Sequence, residues 1–133
     1  MTATAQEPTK PSVLVVDDEP DMRLLARTML ERGGLQVVAE AVDGTEALEQ
    51  FQSLDPPPVP TVVLLDNRMP GLTGLEVAEQ MLSHNPEQVI VLFSAHIDES
   101  VEEGARASGV TACVSKTHIG RLPKLIWSLL PPA

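Results

Sequence analysis

Three aspartates, one serine and one lysine stand just after short β-branched runs of this 133-residue chain. Asp17-Asp18-Glu19 follows Ser12–Val16, and Asp66-Asn67-Arg68-Met69-Pro70-Gly71 follows Thr61–Leu65. Ser94-Ala95-His96 follows Val89–Phe93, and Lys116 follows Thr111–Ser115. If these runs are neighbouring strands, the carboxylates converge at one edge. Clustered carboxylates repel one another, which is costly unless a cation binds between them. Hard oxygen donors without thiolates suit Mg2+, which keeps several waters and takes one or two carboxylates. A nearby ammonium and hydroxyl match the oxygens of a phosphoryl group, whose transfer is catalysed by positioning and by neutralising charge. A carboxylate can itself be the nucleophile, giving an aspartyl phosphate. The constellation reads as a phosphoryl acceptor.

The elements that must position it alternate along the chain. A fifth β-branched run, Leu35–Ala41, ends at Asp43-Gly44, where Asp43 and Glu46 have capping-box spacing. Between the runs lie helical stripes. Met22, Leu25, Ala26, Met29 and Leu30 form one, and Leu122, Leu125, Ile126, Leu129 and Leu130 another. Weaker stripes run through Ala47, Leu48 and Phe51, through Leu75, Ala78 and Leu82, and through Ile97, Val101 and Ala105. Five near-continuous apolar strands alternating with five helices predict an α/β domain, a parallel sheet covered on both faces and doubly wound. Gly33-Gly34 ends the first helix, and Pro56-Pro57-Pro58 makes a stiff loop rather than a domain linker. In such a sheet ligands bind outside the carboxyl ends of the strands, where the five residues lie.

Composition narrows the function. Nineteen acidic against nine basic residues give a net charge of −10, which repels phosphate backbones and anionic lipid. Direct nucleic-acid or membrane binding is therefore not expected. One cysteine, Cys113, excludes a disulfide framework and fits a cytoplasmic setting. Met1–Gln6 lacks a basic segment followed by an apolar stretch, so no secretory signal is read. Residues 1–11 are expected to be a disordered leader, 12–130 the domain and 131–133 a tail.

The motifs Val-Leu-Val-Val-Asp17-Asp18-Glu19-Pro20, Leu-Leu-Asp66-Asn-Arg-Met69-Pro70-Gly-Leu-Thr-Gly74, Phe-Ser94-Ala and Val-Ser-Lys116 occur in order at fitting spacing. Across about residues 12–130 the chain resembles the receiver (phosphoacceptor) domain of bacterial two-component response regulators. The resemblance implies a flavodoxin-like fold with strand order 2-1-3-4-5. It implies that Asp66 is phosphorylated by a sensor histidine kinase, that Asp18 and Asp66 bind Mg2+, and that Asp17 acts mostly through water. It further implies that the Arg68 backbone carbonyl completes the metal ligands, that Ser94 and Lys116 hold the phosphoryl oxygens, and that Gly74 shapes the loop after Asp66. Helix four, strand five and helix five would then select an output partner or a second copy. Such a chain modifies itself rather than turning over a substrate, so it is not classed as an enzyme. The wording around Asp66 and Lys116 is similar to receivers that precede helix-turn-helix domains.

Three departures accompany the resemblance. Cys113 stands where the family usually has Tyr or Phe, so activation through an aromatic rotamer is not available in its usual form. Thr117 replaces the usual Pro after the lysine. Arg68 and His96 flank the phosphoryl position, where bulky side chains would slow water attack on an acyl phosphate. Two rival readings remain open to the sequence: an aspartate-nucleophile phosphatase of the haloacid-dehalogenase type, and a degenerate receiver that binds partners without phosphorylation. The former needs Asp-x-Asp after strand one, against Asp17-Asp18-Glu19 here. The intact acidic site opposes the latter, while Cys113 keeps it open. Each residue taken alone has a plainer reading: Asp17-Asp18-Glu19 as a helix entry, Ser94 as a cap, Lys116 as a solvated amine. His84 and His118 read as surface-loop residues, and Asp98, Glu99, Glu102 and Glu103 as a solvated face. Trp127 falls on the exposed side of the last helix, which predicts a dimer or partner surface, against packing on Pro131-Pro132.

Overall fold

The computed structural model describes residues 10–54 and 61–130. Its elements are β1 Ser12–Val16, α1 Pro20–Arg32, β2 Gln36–Ala41, α2 Gly44–Ser53, β3 Val62–Leu65 and α3 Gly74–His84. They continue with β4 Val89–Ser94, α4 Glu99–Ser108, β5 Ala112–Ser115, a 3-10 helix Lys116–Arg121 and α5 Leu122–Leu129. The sheet order is β2-β1-β3-β4-β5, every pair parallel. Most of the expected leader, the Pro56-Pro57-Pro58 loop and the tail at 131–133 lie outside the described residues.

The strands are apolar at successive positions because both sheet faces are covered. Leu14, Val16, Val63, Leu65, Ile90 and Leu92 pack with Ala47, Phe51, Val77, Ala78, Met81 and Ala105, so α2, α3 and α4 share one face. Val13, Val15, Val62, Leu64, Val91 and Phe93 pack with Ala26, Leu30, Leu122 and Ile126, so α1 and α5 cover the other. Period-two alternation thus splits each strand between two cores. The chain leaves β1 for β2 on one side and returns to β3 on the other, which opens a crevice at the carboxyl ends of β1 and β3.

Local chemistry sets the helix ends. Thr73 and Glu76 form a reciprocal capping box at α3. At α2 the expected box is altered: Asp43 accepts from the Glu46 N–H, but Glu46 reaches the Val42 N–H instead of the cap's own. Asp98 caps α4 through the Val101 N–H, and Asp98, Glu99, Glu102 and Glu103 are all exposed, as expected. His84 is the last residue of α3 rather than a loop residue, and Leu130 caps α5 rather than extending it. Leu25, placed on the buried stripe, is 43% exposed, because only Ala26 and Leu30 of α1 reach the core fully. The 3-10 helix was not expected. Without a proline at 117, the Ser115 hydroxyl accepts from the Thr117 N–H and winds the chain directly after β5.

Trp127 is exposed as expected, but it is tied within the chain. Its Nε1–H donates to the Gly33 carbonyl at the end of α1, 2.7 Å away, and its ring lies against Gly34. Trp127→Phe is expected to lower stability by about 1 kcal/mol, the net value of one hydrogen bond. Urea unfolding checks this; an unchanged midpoint would show that the bond contributes nothing.

Candidate functional site

The parallel register brings the strand ends level. Val16 pairs with Leu65, and Ser94 with Ser115, so Asp17, Asp66, Ser94 and Lys116 emerge along one edge. The Asp66 N–H continues the ladder to the Val16 carbonyl, and the Asp17 N–H does so to Ala41. One oxygen each from Asp17, Asp18 and Asp66 lie within 4.8 Å of one another. Lys116 Nζ bridges two of them, 2.7 Å from Asp17 Oδ2 and 3.3 Å from Asp66 Oδ2. The side chains of Lys116, Asp17 and Asp66 are at most 9% exposed. Glu19, by contrast, points to solvent and comes only within 3.8 Å of the ammonium.

Each carboxylate is also held from the backbone side. Asp17 Oδ1 accepts from the Glu19 N–H, and Asp66 Oδ1 from the Arg68 N–H. Asn67 uses its side-chain oxygen to take the Leu75 N–H and its carbonyl to take that of Gly74. Gly74 sits so close that a Cβ there would lie 2.5 Å from the Asp66 carbonyl oxygen. The Phe93 ring lies beneath Lys116, its centroid 5.8 Å from Nζ, where a ring face favours a cation.

The electrostatics are those of a cluster short of positive charge. Burial, then the Asp17 charge, pushes Asp66 up to about 6, against the pull of Lys116 and the Arg68 N–H. Burial alone would lower the Lys116 pKa, but its bond to Asp17 and the charges of Asp66 and Asp17 raise it overall. Ser94 Oγ is buried with no hydrogen-bond partner among the described residues. Such an orphaned hydroxyl costs energy unless something else arrives to use it. An oxygen-only donor set, an incompletely neutralised carboxylate and a spare hydroxyl fit a hard divalent cation together with an anionic oxygen.

Five of the sequence-selected residues therefore converge: Asp17, Asp18, Asp66, Ser94 and Lys116. Arg68 and His96 follow the same strand ends with exposed side chains, and His118 is exposed on the 3-10 helix. Cys113 lies half-buried on β5 and lines a cleft of about 220 Å³ with Glu102, Ala105, Arg106 and Val110. Burial, then Glu102, pushes its thiol up, so the thiolate is disfavoured. Trp127 belongs to the α1–α5 contact, away from the strand ends. Sequence reasoning missed Phe93 beneath the lysine. It also missed Arg23, whose guanidinium donates to the Asp17 carbonyl.

Comparison with known proteins agrees with this arrangement. The family model described as response regulator receiver domain matches residues 13–126. The chain is 35% identical over 111 residues to the probable transcriptional regulatory protein NarL of Mycobacterium tuberculosis, covering 83% of this chain and 50% of that protein. It is 29% identical over 99 residues to the chemotaxis protein CheY of Thermotoga maritima, covering 71% and 79% respectively. Among solved structures, the receiver domain of the M. tuberculosis NarL superposes with a TM-score of 0.79 at 32% identity, over 92% of this chain and 98% of that one. The chain spans 23–50% of the length of most of the first curated relatives it matches. Among the described residues no helix is long and apolar enough to cross a membrane. Four motifs at the strand ends, the 2-1-3-4-5 sheet and the family match over most of its length place this chain in the response regulator receiver domain family of two-component systems.

Proposed function

We propose that the chain is a phosphorylation switch in which Asp66 accepts a phosphoryl group from a phosphohistidine of a sensor histidine kinase. The observation that carries this reading is the Lys116 ammonium held between the buried carboxylates of Asp17 and Asp66. An Asp66 oxygen attacks phosphorus as the bond from phosphorus to the imidazole nitrogen breaks, and its electron pair stays on that nitrogen. Lys116 then exchanges its contact with Asp66 for a phosphoryl oxygen, and the spare Ser94 hydroxyl donates to another. Asp17, Asp18, Asp66 and the Arg68 carbonyl would hold Mg2+, which when bound supplies the positive charge that the cluster lacks. The Glu19 and Arg68 N–H groups keep the two carboxylates oriented while this happens. Exposed Arg68 and His96 would screen the acyl phosphate from water.

The modified surface is read out by a partner, an output domain or a second copy at α4, β5 and α5. The small thiol of Cys113 there requires that coupling to run through something other than an aromatic rotamer. The change is one self-modification per event, so the chain acts as a signalling module rather than an enzyme with an external substrate.

Incubation with acetyl phosphate tests this without the kinase. The expected result is a mass gain of one phosphoryl group that requires Mg2+, disappears in chelator and is removed by hydroxylamine, as an acyl phosphate is. A hydroxylamine-resistant label, or one formed equally well without the metal, would sink the reading.

A further inference from the structure

The turn that carries Asp17 and Asp18 is held by a side chain six residues further on. Arg23, on the first turns of α1, donates from Nη1 to the Asp17 carbonyl oxygen at 2.7 Å. Its Nε faces Glu40 of β2 at 3.4 Å, and Glu40 is in turn paired with Arg27, which pairs with Glu31. Arg23 is only 17% exposed at its side chain, whereas Arg27 is 44% exposed. Three polar groups of Asp17 are thereby hydrogen-bonded, its N–H to Ala41, its carbonyl to Arg23 and Oδ1 to the Glu19 N–H, while Oδ2 has the ion pair with Lys116. The carbonyl is the one main-chain group of Asp17 held by a side chain, and it fixes the peptide plane between Asp17 and Asp18. Rotating that plane would move both carboxylates.

We propose that Arg23 is a positioning residue of the site: by gripping the Asp17 carbonyl it sets the strand-exit turn whose carboxylates hold the cation. A planar guanidinium suits this because one edge meets the carbonyl while another faces Glu40, so that β2 braces the arginine from behind. Arg23 touches neither the phosphoryl group nor the cation. The inference rests on the proposed function, since it concerns the affinity of the same carboxylates for Mg2+.

Calorimetric titration of Mg2+ into the phosphate-free chain is the test, with circular dichroism to establish that each variant is folded. Arg23→Ala is expected to raise the Mg2+ dissociation constant about tenfold, the range seen when a residue that orients metal ligands is lost. Arg23→Lys, which keeps one donor but not the fork, recovers part of that loss and serves if the alanine variant does not fold. Arg27→Ala cuts the outer ion pairs of the same network without touching Asp17, and is expected to stay within about twofold of wild type. Equal losses in Arg23→Ala and Arg27→Ala would overturn the proposal, because they would report a general loosening of α1. Wild-type binding with an unchanged constant in folded Arg23→Ala or Arg23→Lys overturns the proposal alone. No saturable Mg2+ binding by the wild-type chain overturns the phosphoacceptor reading as well.

Discussion

Asp66→Asn is expected to abolish labelling by acetyl phosphate and, in chelator, to make the chain more stable at neutral pH. The first effect follows because an amide has no anionic oxygen to attack phosphorus, while its size leaves the surroundings undisturbed. The second follows from burial. The Asp66 carboxyl titrates near 6 in the folded chain against an ordinary value of 3.8. Above about pH 6 the folded state must carry a charge it disfavours, whereas the unfolded chain carries it in water. The penalty is fully present above the folded pKa and is relieved as the pH falls toward the unfolded value. A shift of about two units sets a ceiling near 3 kcal/mol. The raised value already includes the pull of Lys116, so a gain of about 1–3 kcal/mol is expected at neutral pH. The difference between wild type and variant should shrink to nothing near pH 4 and narrow when Mg2+ is added. Urea unfolding across that pH range measures the second effect, and mass spectrometry the first. Labelling of the asparagine variant would remove Asp66 from its assigned role. A stability gap independent of pH would remove the electrostatic explanation.

The same residues show how far the chain could be read before it was seen folded. The strands were legible as short β-branched runs, clearest in β1, β3 and β4, which are buried on both faces, and less so in the partly buried edge strands β2 and β5; the order followed once the motifs identified the family. Asp17, Asp18, Asp66, Ser94 and Lys116 were legible because the carboxyl ends of parallel strands are the only places a doubly wound sheet offers a ligand. What escaped was tertiary. Leu25 fits the helical period of α1, but the core admits only Ala26 and Leu30 fully. Trp127 reads as a partner anchor from its exposed face, yet its indole N–H finds the carbonyl of Gly33, 94 positions away. Arg23 looks like one more solvated helix residue. Only the fold places its guanidinium between the Asp17 carbonyl and Glu40 of a neighbouring strand. The 3-10 helix depends on a two-residue hydroxyl cap, which no periodicity reveals.

Gly74→Ala is expected to produce the largest combined loss, and Gly71→Ala isolates its cause. At Gly74 an added Cβ would meet the Asp66 carbonyl oxygen at 2.5 Å and Asn67 Cα at 2.8 Å. Both are backbone atoms, so no rotamer change can relieve the contact. The β3–α3 connection itself must shift, straining the Gly74 N–H bond to Asn67 and displacing Asp66 from Lys116. Overpacking of this kind costs about 3 kcal/mol. A misplacement approaching an ångström at a reacting group slows chemistry about a hundredfold. Gly71 lies in the same connection with nothing near its missing Cβ, but its φ is +81°. Alanine there pays only for the left-handed backbone, about 1–2 kcal/mol. The two variants therefore separate loop strain from site displacement. If stability loss alone slowed labelling, both would be slow in proportion to their stabilities. The close approach of α3 to the Asp66 backbone predicts otherwise: Gly71→Ala labels at nearly the wild-type rate under folded conditions, and Gly74→Ala does not. Equal rates in the two folded variants would mean that Gly74 serves packing and leaves the nucleophile where it was.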